Sequence, residues 1–311
     1  MADFDVTILG CGSALPTTRH LASSQVVDLR DKLYMIDCGE GTQVQMRHQH
    51  IKFSRLNHSF ISHLHGDHCF GLPGLLSTMS LHEKGGTVTV HMQPEGIKVM
   101  EPMIRYFCDN TAYDLQFEPL PRRGVVYEDD GLTVETFPLY HRVPCNGFIC
   151  REKPSLLNLR GDMVRFHQIP VRQLHAIKCG EDFVKDDGTV VPNSYLTFPP
   201  RHPVSYAYCS DTVMDRRVAE SVSGVDVLYH ESTYADDQEV KAAQRGHSTA
   251  RQAAEIAAMA GVRHLILGHY SKRYRDLSPL LAEAREKFPA VTLSDEGLVL
   301  DLNTLGNPDE A

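Results

Sequence analysis

Three histidines and an aspartate fall within six residues of this chain: His63, His65, Asp67 and His68, in the pattern His-x-His-x-Asp-His. Imidazole nitrogen suits Zn²⁺ or Mn²⁺, and a carboxylate adds a hard, charged oxygen, so the run reads as part of a metal site. A thiolate-built structural zinc site fits less well, because none of the eight cysteines stands at Cys-x-x-Cys spacing. Four ligands in one loop cannot fill two coordination shells. Three distant residues, each just past an apolar run, are candidates to complete them: His141 after Leu132–Leu139, Asp211 after Ser205–Cys209, and His269 after His264–Gly268. The expected grouping places His63, His65 and His141 on one metal and Asp67, His68 and His269 on the other. Asp211 would bridge the two, since only a carboxylate has two oxygens to share.

Two divalent cations about 3.5–4 Å apart clamp both oxygens of an in-line displacement, which makes phosphodiesters natural targets. The departing oxygen also needs a proton. His247, in the run Gly246-His247-Ser248-Thr249, is the candidate acid, and Glu231 is the carboxylate expected to orient it. Two alternatives stay open here: His247 as an ordinary polar residue at a helix start, and His230 in place of Glu231. Asp37 reads equally as the hydrogen-bond partner of a metal-binding imidazole or as a turn-forming residue.

Strands and helices must deliver these groups, and both are interspersed along the chain. Strand patterns are expected over 5–9, 87–91, 114–117, 124–127, 132–137, 147–150, 226–229, 262–267 and 298–302, with a hairpin of 25–29 and 33–36 around Arg30-Asp31-Lys32. Helical spacing covers 42–48, 72–81, 95–107, 249–260 and 278–287, with Ser248 as the expected N-cap of the fourth. This mixture predicts an α/β chain in which strand exits carry the chemistry. Residues 151–204 differ: six prolines, weak periodicity, and eight Lys or Arg against six acids. They read either as an insertion that contacts a substrate or as a surface excursion with solvated charges.

The 311 residues suffice for one large domain, and 42% hydrophobic content is ordinary for a globular protein. The formal charge of −9 argues against a general polyanion binder but permits a local basic surface. Scattered cysteines in apolar runs read as reduced thiols, pointing to a cytoplasmic protein. Asp3 and Asp5 stand where a signal peptide would be basic, and no apolar stretch is long enough to span a bilayer.

The ligand set, in this order, resembles the metallo-β-lactamase superfamily, and within it the chain resembles the ribonuclease Z family. The resemblance runs from Thr7 to the last strand. It is carried by Ile61-Ser-His-Leu-His-Gly-Asp-His-Cys-Phe-Gly-Leu-Pro-Gly-Leu75, Asp37-Cys-Gly-Glu-Gly-Thr-Gln43, Ala207-Tyr-Cys-Ser-Asp-Thr212, His230-Glu231, His247-Ser-Thr-Ala250 and Leu267-Gly-His-Tyr-Ser-Lys-Arg-Tyr274. It implies a four-layer αβ/βα sandwich with a dinuclear zinc site at the sheet edge. The implied activity is endonucleolytic removal of the 3′ trailer from precursor tRNA by a homodimer, one subunit's arm helping to hold tRNA for the other. Asp67 then matches the proton acceptor for the attacking water. His247 with Glu231 matches the group assisting the leaving 3′ oxygen, and Ser271 and Arg273 match a loop near the substrate phosphates. The chain departs from the family at residues 151–204, where a Gly/Pro-rich arm is usual but only Gly161, Gly180 and Gly188 occur. It also departs at Leu15-Pro-Thr-Thr-Arg-His20, which lacks a lysine often found after Pro-Thr. Rival readings are a dinuclear zinc hydrolase of small phosphodiesters or sulfate esters, and a non-catalytic RNA-binding protein.

Overall fold

The computed structural model describes residues 4–108 and 111–306; Asp3 lies outside them. The chain divides into two compact units, residues 152–203 and the remainder.

The larger unit is built on two seven-stranded sheets. The first contains β1 (Phe4–Gly10), β2 (Ser24–Leu29), β3 (Lys32–Cys38), β4 (Leu56–Phe60), β5 (Thr87–Met92) and β6 (Asp114–Pro119), and a last strand, Val299–Asp301, pairs antiparallel with β1. The second contains β7 (Gly124–Glu128), β8 (Leu132–Leu139), β9 (Cys145–Glu152), β10 (Ser205–Cys209), β11 (Val227–Glu231), β12 (His264–Gly268) and β13 (Val291–Leu293). The hairpin between β2 and β3 turns on two residues, Arg30 and Asp31, both at positive φ, the backbone twist that a two-residue hairpin loop requires.

Side-chain alternation explains why the first sheet is covered on both faces. In β2 and β3, Val27, Tyr34 and Ile36 point into a core shared with Phe148, Tyr206 and Tyr208 of the second sheet. Their neighbours Val26, Leu33 and Met35 point the other way, onto α1 (Thr42–His48), α3 (Leu72–Leu81) and α4 (Pro94–Phe107) through Met46, Leu75, Met79 and Ile104. Phe60 and Phe148 meet across the sandwich with ring centroids 5.6 Å apart. Burying each such ring contributes about 1.5–3 kcal/mol. The second sheet is covered outside by α7 (Ala250–Ala260) and α8 (Ser278–Arg285), whose Ala253, Ala257, Leu280 and Ala284 are fully buried. The result is the four-layer αβ/βα sandwich.

One expectation is corrected at α7. Its N-cap is Thr249, not Ser248: Thr249 and Gln252 exchange side-chain to backbone hydrogen bonds in a capping box. Ser248 instead donates its hydroxyl to the Thr212 carbonyl at 2.7 Å, tying the start of α7 to the end of β10.

Residues 152–203 are more ordered than their weak periodicity suggested. Helices Gly161–Phe166, Val171–Lys178 and Asn193–Leu196 and two small antiparallel ladders enclose Ile169, Ile177, Phe183, Val191 and Leu196. Elements of two to eight residues are too short to impose a readable period. Arg201 makes a bidentate ion pair with the Glu152 carboxylate at 2.6 and 2.8 Å, clasping the two ends of the unit.

Candidate metal centre

The second sheet delivers its chemistry by register. β10, β11 and β12 are parallel, with Cys209 opposite His230 and Glu231 opposite Gly268. Asp211, Glu231 and His269 therefore leave the same sheet end at nearly the same level. β8 runs out to His141, and β4 of the facing sheet runs out to His63. The residues after β4 close into a helical turn, Gly66–Cys69, with His65 at its N-cap position, which sets Asp67 and His68 side by side. His269 and Asp37 both have positive φ, 59° and 56°, a conformation non-glycine residues adopt at a cost of order 1–3 kcal/mol. At both positions the twisted backbone turns the side chain toward the cluster.

Two groups of ligand atoms result, and Asp211 faces both. Asp211 Oδ2 lies 3.6 Å from His63 Nε2 and 3.6 Å from His141 Nε2, and His65 Nδ1 lies 3.0 Å from His63 Nε2 and 3.3 Å from His141 Nε2. Asp211 Oδ1 lies 3.5 Å from His68 Nε2 and 3.1 Å from His269 Nε2, which are in turn 3.4 and 3.5 Å from Asp67 Oδ2. The structure thus gathers His63, His65 and His141 on one side of Asp211 and Asp67, His68 and His269 on the other.

The far side of several imidazoles is fixed by hydrogen bonds. His68 Nδ1 donates to Asp37 Oδ2 at 2.7 Å, and Asp37 is itself held by the Ser62 N–H, the Ser62 hydroxyl and the Tyr208 hydroxyl. His141 Nδ1 donates to the Gly246 carbonyl at 2.7 Å. His269 Nδ1 is hydrogen-bonded to Thr233 Oγ1 at 2.8 Å, and the Thr233 hydroxyl donates to Glu231 Oε2. Each ring thus turns Nε2 inward, where His68 Nε2 and His269 Nε2 are buried without a hydrogen-bond partner. Buried nitrogens of this kind, converging on carboxylate oxygens, fit a divalent cation and no neutral group on the protein.

The electrostatics agree with that fit. Burial, then the neighbouring His68, pushes His63 well below the ordinary imidazole range, and burial lowers His65 and His141. Neutral imidazole is the ligating form. Burial works against ionised Asp67 and Asp211, but the surrounding histidines override it and hold both carboxyls below their ordinary range. For His68 burial is likewise overridden, by Asp37 and Asp211, and its imidazole is raised. The carboxylates create a demand for positive charge that one imidazolium or two cations can meet.

Beside the cluster, Glu231 Oε1 accepts from His247 Nδ1 at 2.9 Å and from the Thr212 N–H at 2.8 Å. Glu231 is fully buried. Burial disfavours a charge on His247, yet the Glu231 carboxylate and its hydrogen bond raise the imidazole to about 9. His230 points elsewhere: its Nδ1 donates to its own chain at the Glu231 carbonyl, so the partner of His247 is Glu231. His65, Asp67, Asp211, His247, His269 and Ser271 line a cavity of about 490 Å³, with Phe70, Arg142 and Tyr234 on its walls. Arg273 does not line it; its guanidinium lies over the Tyr234 ring, 5.0 Å from the centroid. Thr233 escaped sequence reasoning, although it closes the run His230-Glu-Ser-Thr233. Gly246 escaped too: its φ is +80°, and a Cβ there would sit 2.6 Å from His141 Nδ1.

A ribonuclease Z of Parabacteroides distasonis is 53% identical over 304 residues, 97% of this chain and 100% of the relative. The chain belongs to the ribonuclease Z family. A second ribonuclease Z, from Bacteroides fragilis, is 51% identical over 97% of the chain and 100% of its own length. Family models match residues 4–101 (anti-Pycsar protein Apyc1) and 158–270 (beta-lactamase superfamily domain). Among solved structures, the short form of human tRNase Z superposes with a TM-score of 0.69 at 25% identity, covering 96% of this chain and 99% of that one. The metallo-beta-lactamase fold protein YhfI of Bacillus subtilis, at 17% identity and a TM-score of 0.68 over 96% of this chain and 98% of its own, shares the fold. Ribonuclease Z membership and this fold together imply a divalent metal centre, and His63, His65, Asp67, His68, His141, Asp211 and His269 are the groups that fit it.

Proposed function

We propose that this hydrolase, an endoribonuclease by family, removes the 3′ trailer from precursor tRNA, with two Zn²⁺ held by the seven residues named above. The observation that carries the reading is Asp211, whose two oxygens face two separate ligand groups. Five imidazoles and two carboxylates suit Zn²⁺ best and accept Mn²⁺. Cations held by these residues would supply Lewis acidity toward the phosphoryl oxygens. Asp67, at the cavity wall, orients the attacking water and accepts its proton. His247, held by Glu231, protonates the departing 3′ oxygen. The bond broken joins that oxygen to phosphorus, so the tRNA keeps a 3′-hydroxyl and the trailer a 5′-phosphate. Ser271 and Arg273 bind flanking phosphates, and the exposed Phe70 ring offers a face on which a base stacks. The enzyme acts as a cytoplasmic homodimer in which residues 151–204, with net charge +2, contribute to tRNA binding.

The test is cleavage of a 3′-extended precursor tRNA with product ends mapped, in zinc and after chelation. The expected result is one cut near the discriminator base, lost with the metal. A metal-loaded protein that leaves the precursor intact but hydrolyses a small chromogenic phosphodiester would move the assignment to small esters.

A further inference from the structure

Away from the dinuclear cluster, four ligand-type side chains converge behind the loop of residues 13–23. They are Cys11, just past the end of β1, His20 within the loop, and Asp295 and Glu296 in the turn that follows β13. Their ligand atoms all lie within 4.8 Å of one another. Cys11 Sγ is 3.4 Å from His20 Nδ1 and 3.7 Å from Glu296 Oε2; His20 Nδ1 is 3.6 Å from Asp295 Oδ1 and 2.8 Å from Glu296 Oε2. Zinc bonds of about 2.0–2.3 Å in a tetrahedron put ligands about 3.3–3.6 Å apart. Three of the four separations match that spacing closely, and the fourth is a short His20–Glu296 contact that a cation would open by about half an ångström. Cys11 and His20 are buried, Glu296 nearly so, and only Asp295 reaches solvent, which gives an ion a way in.

We propose that Cys11, His20, Asp295 and Glu296 form a second, mononuclear site for a zinc-class divalent cation, distinct from the dinuclear cluster. The thiol also lies 3.7 Å from the Ser294 carbonyl and Asp295 also pairs with Arg19 at 3.9 Å, so the case for an ion rests on the convergence of one sulfur, one imidazole nitrogen and two carboxylates on a single point. Glu296 divides its labour: Oε1 accepts from the Leu21 N–H at 2.8 Å and the Cys11 N–H at 3.3 Å, leaving Oε2 for the ion. Burial and the Glu296 carboxylate keep the thiol protonated, so binding releases its proton to solvent and sets a dication against three anionic ligands. Ser13, Ala14, Pro16 and Ala22 of the same loop line the catalytic cavity. The ion would therefore staple one cavity wall to the core.

Sulfur makes the test specific, because the dinuclear cluster is all nitrogen and oxygen. The metal-free full-length protein is titrated with Co²⁺ and followed in the near ultraviolet, where thiolate-to-cobalt charge transfer absorbs. The expected result is a saturable band that disappears in Cys11→Ser, with metal content one equivalent lower than in the parent. Absence of the band at saturating Co²⁺, or its persistence in Cys11→Ser, would overturn the proposal. Where Cys11→Ser fails to fold, His20→Gln replaces it: half-saturation should rise at least about tenfold, and an unchanged titration counts against the site. None of these readouts depends on RNA cleavage, so failure here and failure of the proposed function are separable.

Discussion

Glu231 and His247 form a buried acid–base pair with their contact at 2.9 Å, the carboxylate sealed in the sandwich and the imidazole open to the cavity. Because Glu231 also takes the Thr212 N–H, the pair is anchored to the strand that carries Asp211. His247→Ala should lower turnover on precursor RNA by about 10²–10⁴-fold, the usual share of general acid catalysis. A substrate with a nitrophenolate leaving group needs no proton and should lose far less. Equal losses on both substrates would assign His247 to binding or structure. Glu231→Gln should follow the same pattern more weakly.

Asp67 and Asp211 should separate in metal content. Asp211→Ala removes an oxygen from each ligand group, so metal bound after dialysis should fall in both. Asp67→Ala removes one oxygen from the second group only. Its cleavage rate should drop about 10³-fold or more while precursor tRNA binding, measured by gel shift, stays within a few-fold. Metal analysis of the two variants beside the parent checks both statements.

Gly246→Ala should act by pushing on the His141 ring without removing any ligand atom. The new methyl would meet His141 Nδ1 at 2.6 Å and replace a glycine at φ +80°. The His141 ring must then shift away from the Gly246 carbonyl. Occupancy of the group containing His63, His65 and His141 should fall, with circular dichroism unchanged. Full metal content in this variant would show that the loop yields instead of the imidazole.

Acid stability should be set partly by two histidines that are not among the candidate metal ligands. His58 Nδ1 and His91 Nε2 are 3.2 Å apart inside the first sheet, and burial lowers them to about 4 and about 3. Their folded values lie below the unfolded value near 6.5, so the unfolded chain binds more protons between pH 6.5 and those values. Stability contributed by keeping them neutral is complete above pH 6.5 and is lost as pH falls toward 4. His91→Phe, stacking as His91 does on Phe60, should shrink the drop in urea midpoint between pH 7 and pH 5 relative to the parent.

The candidate ligands stand out in the sequence because metal chemistry restricts residue type and because each distant candidate ends an apolar run. Leu265-Ile-Leu267 before His269 and Tyr206 to Cys209 before Asp211 are such runs. The groups that aim those ligands were harder to see. Thr233 and the Gly246 carbonyl act through geometry that leaves no compositional trace, and Asp37 and His269 have a positive φ that Asp and His adopt only occasionally, so no pattern announces it. The helix cap falls one residue beyond the expected Ser248, although serine is the better cap by type, because the Ser248 hydroxyl is taken by the Thr212 carbonyl and Thr249 caps instead. Residues 152–203 hid a core whose elements are shorter than the period that would announce them.

The cluster draws on residues spread from His63 to His269 of the 311-residue chain. During synthesis the first loop leaves the ribosome about two hundred residues before the last imidazole. A nascent chain thus presents three histidines and an aspartate with no bridging carboxylate and no closing partner. The complete ligand set therefore cannot assemble before His269 has been synthesised. Any fragment ending short of β12 would lack His269 and be unable to form the complete cluster.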